Sequence, residues 1–518
     1  MLLVPRVNFS SKNLALAPEP GLVNVEVVPR AGLRLALLAA LFLVITRPAQ
    51  GQTEQTLYNF TGGSDGGYPS NLTLHSGSFY GTTGIGNTGN GGVFELSPNS
   101  SGGWNESVLY SFTGGADGAL PAERQALLEA SGNLYGTARD GGAYGYGVVF
   151  ELSPSQAGWT ETTLYSFTGA ADGGNPSSGV IMDSTGNLYG IVSSANGMEM
   201  DSVFELSPSN GGWTEQVLYS VGLVNPDFNI EAGLTMDAAG NIFGATYSTV
   251  FELSPNGSGG FNPAVLHTFT GGTQDGIYAA GTPVLDSAGN IYGTTTSGGN
   301  SANSAGTVYK LSPVKNGGWT EKILYSFKGG KDGSVPLGPI AFDAFGNIYG
   351  TTNTGGKVES SGTVFELLPN GKGGWAEKVL FAFDRADGAF PMGSVVLDSA
   401  GDIYGTTPAG GLDTVGVVFE INPSPRTTVT TLASSPNPST SKQIVTFTAV
   451  VEPAPPDGEI VSFMRGSATL GTETLIGGSA SFGTSVLKVG TTPVNAVYGG
   501  DFDFLGSKSN VVAQVVNK

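Results

Sequence analysis

The stretch Trp319–Pro369 decides the fold of this chain. It reads W-T-E-x-x-L-Y-S-F, then G-G-x-D-G-x-x-P, then an apolar run to D-x-x-G-N-I-Y-G-T-T, and then G-T-V-F-E-L-x-P. Turn residues separate four short runs rich in β-branched and aromatic residues, and no run has a helical period. In chain order, the four predicted strands are Trp319–Phe327, Leu337–Phe342, Asn347–Thr352 and Thr363–Leu368.

The same pattern occurs seven times between residues 52 and 423. An aromatic-Gly pair marks each copy, at intervals of 49 to 57 residues. The pairs are Tyr80-Gly81, Tyr135-Gly136, Tyr189-Gly190, Phe243-Gly244, Tyr292-Gly293, Tyr349-Gly350 and Tyr404-Gly405. Seven units of four short strands predict an all-β fold, a seven-bladed β-propeller with four-stranded blades. A β-solenoid is the alternative, although its coils are usually shorter than these units.

The phase of the repeat predicts how the array closes. Within a unit we name the strand before the D-x-x-G-N turn a, the N-I-Y-G-T-T strand b, the T-V-F-E-L strand c and the W-T-E strand d, from the centre of a blade outwards. The array begins with a lone d-type strand, Thr53–Phe60, and ends with a c-type strand, Val417–Ile421. We therefore expect the N-terminal strand to close the last blade, which leaves no unpaired end in the ring.

Residues 1–51 have the layout of a secretory signal. Arg30 and Arg34 precede the apolar run Leu35–Ile45, and the small-residue pattern Ala49-x-Gly51 follows it. The run is too short to span a bilayer, which takes about 20 residues of helix. We expect cleavage after Gly51, no transmembrane segment in the mature chain, and export to the periplasm or the cell exterior; an uncleaved anchor is the alternative.

The repeat stops at Pro423, and residues 424–426 are predicted to be a linker. In the remaining segment, 427–518, Val445, Phe447, Ala449 and Val451 alternate with polar residues, as on a half-buried strand. About seven such short strands predict an Ig-like β-sandwich.

Composition excludes several function classes. The formal net charge is -20, and a chain without a basic surface is not expected to bind nucleic acid. There is no Cys, so disulfides and thiolate chemistry are excluded. Gly accounts for 82 of 518 residues, and its regular placement indicates turn punctuation and not disorder.

The d-to-a and b-to-c connections are expected to emerge on one face of the ring, where variable loops on a rigid scaffold tend to carry function. The G-G-x-D-G loops of that face place an aspartate in six units, namely Asp65, Asp117, Asp172, Asp275, Asp332 and Asp387. The preferred interpretation is that each aspartate bonds its own turn. The alternative is a ring of ligand contacts or a Ca²⁺ site, because hard cations take several oxygen ligands. No cofactor is otherwise expected.

Function should lie where the copies differ. Unit two adds Glu123, Arg124, Tyr144 and Tyr146 near the predicted channel mouth, and these are candidate binding residues. Unit four lacks the G-G-x-D-G pattern across Val221–Ile230, and its b-to-c loop shrinks to about Tyr247–Thr249. The shortened loop indicates either drift in one repeat or a ligand notch.

All five Trp residues open strand d, and Phe261 takes the slot in a sixth copy; they are Trp104, Trp159, Trp213, Trp319 and Trp375. Packing across the c–d hairpin is the preferred interpretation, and a sugar-stacking rim is the alternative.

Evidence for catalysis is weak. His267 stands where other units have Tyr, His75 lies in the short turn of unit one, and neither belongs to a nucleophile motif. The acids that break the repeat symmetry, and could therefore serve a hydrolase, are Glu123, Glu129, Asp227 and Glu231.

The repeat strings L-Y-S-F-x-G-G-x-D-G, D-x-x-G-N-L-Y-G-T-T and G-x-V-F-E-L-S-P resemble the GloVer tandem repeat of bacterial choice-of-anchor proteins, over residues 52–423. The resemblance implies an exported bacterial protein, often envelope-attached through a C-terminal sorting signal, without catalytic residues to transfer. This chain departs from it by ending at Asn517-Lys518 without an apolar tail. The strings T-x-V-T-T-L-x-S-S-P-N-P-S and V-x-A-V-Y-G-G-D are similar to bacterial Ig-like repeat domains, which implies a spacer or adhesion module.

The leading hypothesis is a secreted or cell-surface binding protein that takes a carbohydrate or protein ligand on the propeller loop face. A polysaccharide-active or other hydrolytic propeller is the alternative, and a purely structural envelope component is the third hypothesis. Fold alone decides none of these.

Overall fold

The structure is a computed structural model that describes residues 53–518 except 123–124, 157, 194–200, 222–229, 231, 316, 345, 358–360, 370–373, 423–426, 456–457 and 501–503. All described residues belong to one compact unit, Ala49–Lys518. These residues form β-strands and one short 3-10 helix, Gly330–Asp332. No helix of the described part is long and apolar enough to cross a membrane. The predicted leader and linker lie outside the described residues.

The strands before residue 423 form seven small sheets, numbered here in chain order. A lone first strand is β1 (Thr53–Asn59). Sheet one contains β2 (Gly67–Pro69), β3 (Thr73–His75), β4 (Ser78–Ile85), β5 (Gly92–Pro98) and β6 (Trp104–Ser111). Sheet two contains β7 (Ala119–Pro121), β8 (Leu128–Ala130), β9 (Asn133–Asp140), β10 (Val148–Ser155) and β11 (Gly158–Ser166). Sheet three contains β12 (Gly174–Pro176), β13 (Ile181–Met182), β14 (Leu188–Ser193), β15 (Ser202–Ser209) and β16 (Gly212–Ser220).

The remaining repeat sheets have the same order of elements. Sheet four contains β17 (Thr235–Met236), β18 (Ile242–Ala245), β19 (Thr249–Pro255) and β20 (Phe261–Thr268). Sheet five contains β21 (Gly276–Ala279), β22 (Val284–Leu285), β23 (Ile291–Gly298), β24 (Thr307–Pro313) and β25 (Trp319–Ser326). Sheet six contains β26 (Ala341–Phe342), β27 (Ile348–Thr352), β28 (Thr363–Pro369) and β29 (Trp375–Ala382). Sheet seven contains β30 (Val396–Leu397), β31 (Ile403–Thr407) and β32 (Val417–Asn422).

Each sheet is antiparallel, with the strands in the predicted spatial order a, b, c, d. Strand a is shorter than predicted, because a break divides it into two short segments that pair with the same strand b. In sheet one its first half pairs with the end of strand b, Gly67 opposite Ile85, and its second half with the start, Thr73 opposite Tyr80. In sheet six the predicted strand Leu337–Phe342 is correct only for its last two residues.

The N-terminal strand pairs as predicted. β1 runs antiparallel to β32, with Thr53 opposite Asn422 and Asn59 opposite Val417, and so becomes the fourth strand of sheet seven. The first and last repeats are therefore joined by backbone hydrogen bonds.

Apolar clusters join each sheet to the next in the series. One further cluster brings Phe79 and Phe94 of sheet one together with Tyr404 and Val418 of sheet seven, and includes Phe60 directly after β1. The seven sheets thus form a closed series, in which burial of apolar surface between neighbours supplies the main stabilisation.

The glycine after each strand-b aromatic packs against an aromatic ring of strand c. Gly136 lies opposite Phe150 of strand c, and a Cβ on Gly136 would be 2.6 Å from that ring. The same ring-over-glycine contact recurs in all seven sheets, with Tyr309 replacing Phe in sheet five. Only glycine leaves room for the ring.

The tryptophans pack as the preferred interpretation predicted. Trp104 lies opposite Pro98 across the c–d hairpin, 5.3 Å from the Phe79 ring and 6.3 Å from the Tyr404 ring of sheet seven. Trp159 likewise reaches Tyr80 of the preceding sheet, at 6.2 Å. These half-buried rings seal the outer part of the core between sheets.

Residues 429–517 form two further sheets. The first has the order β33 (Val429–Ser435), β35 (Val445–Glu452), β38 (Ser479–Thr484). The second has the order β34 (Ser439–Thr440), β41 (Val512–Asn517), β39 (Gly490–Gly500), β36 (Ile460–Arg465), β37 (Ala468–Thr474), and β40 (Leu505–Lys508) pairs with β39. Val445, Phe447, Ala449 and Val451 are buried, as the alternation predicted, in one core shared by both sheets.

Candidate functional site

The interruption of strand a is a joint between neighbouring sheets. The segment that follows the aspartate loop, G-x-x-P in five units, inserts its proline against a glycine of the preceding unit. A Cβ on Gly147 would lie 2.6 Å from Pro176 Cδ, and one on Gly416 would lie 2.5 Å from Pro69 Cδ. The same Gly–Pro contact joins three other pairs of repeats, through Pro121, Pro336 and Pro391.

The residue before this proline adopts a left-handed backbone conformation in five units, and Tyr278, which precedes Ala279, does so at the equivalent position of a sixth. The six residues, with φ between 50° and 61°, are Tyr68, Leu120, Asn175, Tyr278, Val335 and Phe390. Such a conformation is uncommon outside glycine and is unfavourable for a β-branched residue such as Val335. It persists because the surroundings hold it: the Tyr68 N–H donates to Val415 O at 2.7 Å, and the Val335 N–H to Ala305 O at 2.9 Å.

An axial cavity of about 770 Å³ opens among these joints, and we use that name for it below. Its lining comes from sheets one, two, three, five, six and seven, so it lies where the repeats converge. Tyr68, Leu120 and Asn175, three of the left-handed residues, line it. The volume is within the usual range for small-molecule sites. The left-handed residues share the same backbone conformation, whereas their side chains differ from unit to unit.

The axial cavity has a polar sector and an apolar sector. Sheets two and three contribute Arg139, Asn175, Ser177 and Ser193, and these four residues form the polar sector. Sheets six, seven, one and the start of sheet two contribute apolar residues, which are Leu337, Pro339, Met392, Pro408, Tyr68, Pro69, Leu120 and Pro121.

The other polar residues of the lining bond to the protein itself. Thr406 Oγ1 donates to Ser70 O at 2.8 Å, and the Ser70 hydroxyl lies 2.6 Å from that of Thr82. Asn71 Oδ1 accepts from the Ser394 N–H at 2.8 Å. The bonds of Thr406 and Asn71 tie sheet one to sheet seven, and together the three bonds leave that side of the cavity largely apolar.

The six loop aspartates each bond their own turn. Asp65 Oδ2 accepts from the Thr61 N–H at 2.8 Å and from Tyr58 OH at 3.1 Å, and its Oδ1 accepts from Thr61 Oγ1 at 2.5 Å. In unit five, His267 takes the tyrosine position, with Nε2 3.5 Å from Asp275 Oδ1. This geometry supports the turn-bonding interpretation, and direct ligand binding by these aspartates stays a prediction.

Each loop aspartate also faces a strand-d glutamate of the next sheet, a pairing that the sequence reasoning missed. Burial and the nearby Asp65 carboxylate raise the pKa of Glu106 to about 7, and burial with Asp172 does the same for Glu215. Burial with Asp332 raises the pKa of Glu377 to about 8. One buried oxygen of each of these glutamates has no hydrogen-bond partner in the described part of the chain. The sequence did contain a signal for this pairing, because the W-x-E motif and the aspartate loop recur with the same period.

The predicted binding residues of unit two are only partly placed. Glu123 and Arg124 lie outside the described residues. Tyr144 and Tyr146 are exposed in the b-to-c loop, and Tyr146 O accepts from the Asn175 N–H at 2.7 Å, so this loop reaches the rim of the axial cavity. The sequence missed Arg139, because a single arginine in strand b carries no motif.

The candidate catalytic acids are not assembled into a site by the described residues. Glu129 Oε2 lies 2.9 Å from His75 Nδ1, and Glu129 Oε1 accepts from the Gly132 N–H at 2.8 Å. Glu129 thus supports the a–b turn on the other face. Asp227, Glu231 and most of the predicted notch of unit four lie outside the described residues. Within the described ranges no group of three or more His, Asp or Glu side chains could hold a metal ion.

The described residues thus define an all-β repeat protein with a cavity where its sheets converge. The chain matches the model of the Gloeobacter/Verrucomicrobia repeat at residues 43–249 and 245–485. It therefore belongs to this repeat family, as the sequence strings predicted. No curated protein matches the chain.

Several solved structures are distantly similar. The extracellular domain of a putative hybrid two-component system from B. thetaiotaomicron is 11% identical, with a TM-score of 0.44; the match covers 90% of this chain but only 60% of that one. A GH43 β-xylosidase/α-arabinofuranosidase from a compost metagenome is 13% identical, with 63% and 97% coverage and a TM-score of 0.29. The catalytic domain of a Coprinopsis cinerea GH62 α-L-arabinofuranosidase is 11% identical, with 72% and 96% coverage and a TM-score of 0.28. None of these likenesses is close enough to transfer a function.

Proposed function

We propose that this chain is an exported, non-catalytic binding protein that takes its ligand in the axial cavity. The proposal includes the architecture of a seven-bladed β-propeller at residues 52–423, followed by an Ig-like sandwich at 427–518. The closed series of seven sheets and the pairing of β1 with β32 support the propeller. The two C-terminal sheets around one core support the sandwich. The predicted signal at 1–51 supports a secreted, periplasmic or cell-surface location.

One observation carries the binding proposal. The left-handed residues at the rim of the cavity share one strained backbone conformation, whereas their side chains differ from repeat to repeat. Tyr68 is 44% exposed and Leu120 36% exposed, although both are large and apolar. Backbone strain that the fold maintains is characteristic of functional sites. Exposed apolar groups beside a few polar ones are the usual lining of a ligand pocket.

The hydrolytic alternative receives less support. A paired-carboxylate hydrolase needs two acids beside the scissile bond, and the described lining of the axial cavity contains no Asp or Glu. The loop aspartates are occupied by their own turns, and a role for them with Ca²⁺ remains a separate prediction.

A binding screen of the full-length chain tests the proposal. Carbohydrates, peptides and small organic molecules are screened with and without Ca²⁺, and hits are repeated with Tyr68→Asn and Lys315→Gln. Asn is accepted at the left-handed position, as Asn175 shows, so Tyr68→Asn should keep the fold while weakening binding. Lys315 lies in a c–d turn on the other face and is the control. Absence of any ligand, or binding unaffected by Tyr68→Asn, would contradict the proposal.

Glu123→Gln and Glu129→Gln provide the test of the enzymatic alternative. If the chain hydrolyses a polysaccharide and either substitution abolishes turnover, the non-catalytic proposal is wrong. Binding without turnover supports it.

A further inference from the structure

We infer that the axial cavity selects an amphipathic organic anion, in which a carboxylate is attached to an apolar aryl or alkyl body. The inference rests on the proposed function and specifies its ligand class. It comes from the unequal distribution of chemistry around the axial cavity, where the polar sector lies on sheets two and three and most of the large apolar side chains come from sheets one, six and seven.

The polar sector offers donors to an anion. Arg139 is exposed, and no ion pair of its guanidinium is found among the described residues. The chain carries a formal charge of -20, yet the described lining contains Arg139 and no carboxylate. An arginine fork binds a carboxylate with two parallel hydrogen bonds, which a neutral amide cannot reproduce.

Ser177 belongs to the same sector as a lining residue, and its hydroxyl is buried without a hydrogen-bond partner among the described residues. Asn175 is fixed beside it, because its Nδ2 donates to Arg139 O and to Asp140 Oδ1, each at 3.2 Å. Asp140 is thereby held by Asn175 and is not part of the lining.

The apolar sector fits the body of the same molecule. Leu120 and Met392 are 36% and 49% exposed in the free protein, and Tyr68 lies on the same side. Covering these side chains would remove apolar surface from water, at about 25 cal/mol per Å². A ligand with only a charged group would leave this sector uncovered, and a hydroxyl-rich neutral sugar would leave Arg139 without a counter-charge.

Isothermal titration of the full-length chain with three probes tests the inference. The probes are 3-phenylpropionate, its neutral analogue 3-phenylpropionamide, and propionate, which lacks the apolar body. We expect 3-phenylpropionate to bind about tenfold or more tighter than either of the others, which corresponds to about 1.4 kcal/mol. Equal affinity for the acid and the amide would overturn the inference.

Two substitutions assign the effect to the two sectors. Arg139→Gln should reduce the preference for acid over amide to near unity. Leu120→Asn, which keeps a residue suited to the left-handed backbone, should weaken the phenyl probes about tenfold and change propionate little. Lys315→Gln should leave all three affinities unchanged. An acid preference that survives Arg139→Gln would contradict the inference.

The result also separates the inference from the proposed function. If a neutral saccharide binds in a manner that depends on Tyr68 but not on Arg139, the binding function stands and the anion inference is wrong. If no probe and no screened molecule binds, both are wrong.

Discussion

Tyr309 shows how one side chain can depart from the repeat at a cost. It occupies the position of Phe150 and Phe365 in strand c, where the ring covers a strand-b glycine, and it is fully buried. Its hydroxyl has no hydrogen-bond partner among the described residues. A buried hydroxyl without a partner loses its bonds to water and gains nothing in exchange.

Tyr309→Phe should therefore stabilise the protein. The expected gain in the free energy of unfolding is about 1 kcal/mol, because the unsatisfied group is removed and the ring is kept. Chemical denaturation of both proteins measures it. Phe365→Tyr is the matched control and should lose a similar amount. A Tyr309→Phe protein no more stable than the parent would show that the hydroxyl is satisfied.

The sequence assigned most single-residue roles correctly where the partner is local. Asp183 accepts hydrogen bonds from the N–H groups of Thr185 and Asn187 in its own a–b turn, as an aspartate in such a turn pattern commonly does. Arg139 and the glutamates of strand d were not recognised, because their importance depends on residues in other sheets.

The joint between neighbouring elements depends on a glycine and a proline from different units. Gly147 has a φ of 89°, and a Cβ there would lie 2.5 Å from Ala138 O and 2.6 Å from Pro176 Cδ. Gly132 has nearly the same φ, 86°, but no heavy atom within 4 Å of the position where its Cβ would be. Substitutions at these two positions therefore share the cost of the left-handed backbone, and only a substitution at Gly147 adds a steric clash.

Gly147→Ala should destabilise the protein more than Gly132→Ala does. The left-handed conformation costs each variant about 1 to 2 kcal/mol. Gly147→Ala adds a clash with the joint, and we expect at least 2 kcal/mol more, as for other overpacked sites. Thermal and urea unfolding give the two values. Equal losses would show that the Gly–Pro contact is not a tight joint.

The facing glutamates and aspartates predict a pH dependence of stability. Burial first, and then the opposing aspartate, raises the pKa of Glu106, Glu215 and Glu321 to about 7 in the folded chain, from 4.5. The folded state therefore holds more protons than the unfolded state between these values, and its stability falls as pH rises. The contribution is fully present below pH 4.5 and is lost as pH passes through about 7.

We expect the free energy of unfolding to decrease between pH 5 and pH 8. These side chains are partly exposed, so each contributes at most about 1 kcal/mol after solvent screening. Replacing Glu106, Glu215 and Glu321 together by Gln should flatten the dependence and raise stability at pH 8. The sheet-four position of this series is already uncharged, since Pro263 occupies it. A triple variant with the parent's pH profile would contradict the assignment.

At the level of the whole molecule, closure of the ring depends on the first strand and the residue that follows it. Phe60 is fully buried, and its ring lies 5.1 Å from that of Phe94, between sheets seven and one. Phe112 has the same burial and lies 5.1 Å from Phe150, between sheets one and two. The closing joint therefore has the same packing as an internal one.

Phe60→Ala and Phe112→Ala should destabilise the protein equally, by about 3 to 5 kcal/mol each, because each leaves a cavity between two sheets. Differential scanning calorimetry compares the melting transition of the repeat sheets in the two variants. A near-zero cost for Phe60→Ala alone would mean that the ring is open. Deletion of residues 53–60 should lower the melting temperature still further.

The sequence by itself determined the features that repeat. The strands, the order a to d, the strand-b glycines, the turn aspartates and the pairing of β1 with β32 all follow from local residue patterns and their phase. The first four of these need only a neighbouring residue or the next strand, and the pairing of β1 with β32 follows from the phase of the repeat, so periodicity is sufficient to find them.

The tertiary structure alone decided the interruption of strand a, the left-handed residues, the facing carboxylates and the position of Arg139 in the axial cavity. The physical reason is the same in every case. Strand a breaks because its N–H groups and proline serve the adjacent sheet, and the cavity receives side chains from six sheets. Such contacts join residues that are a repeat or more apart along the chain, and no local pattern encodes them.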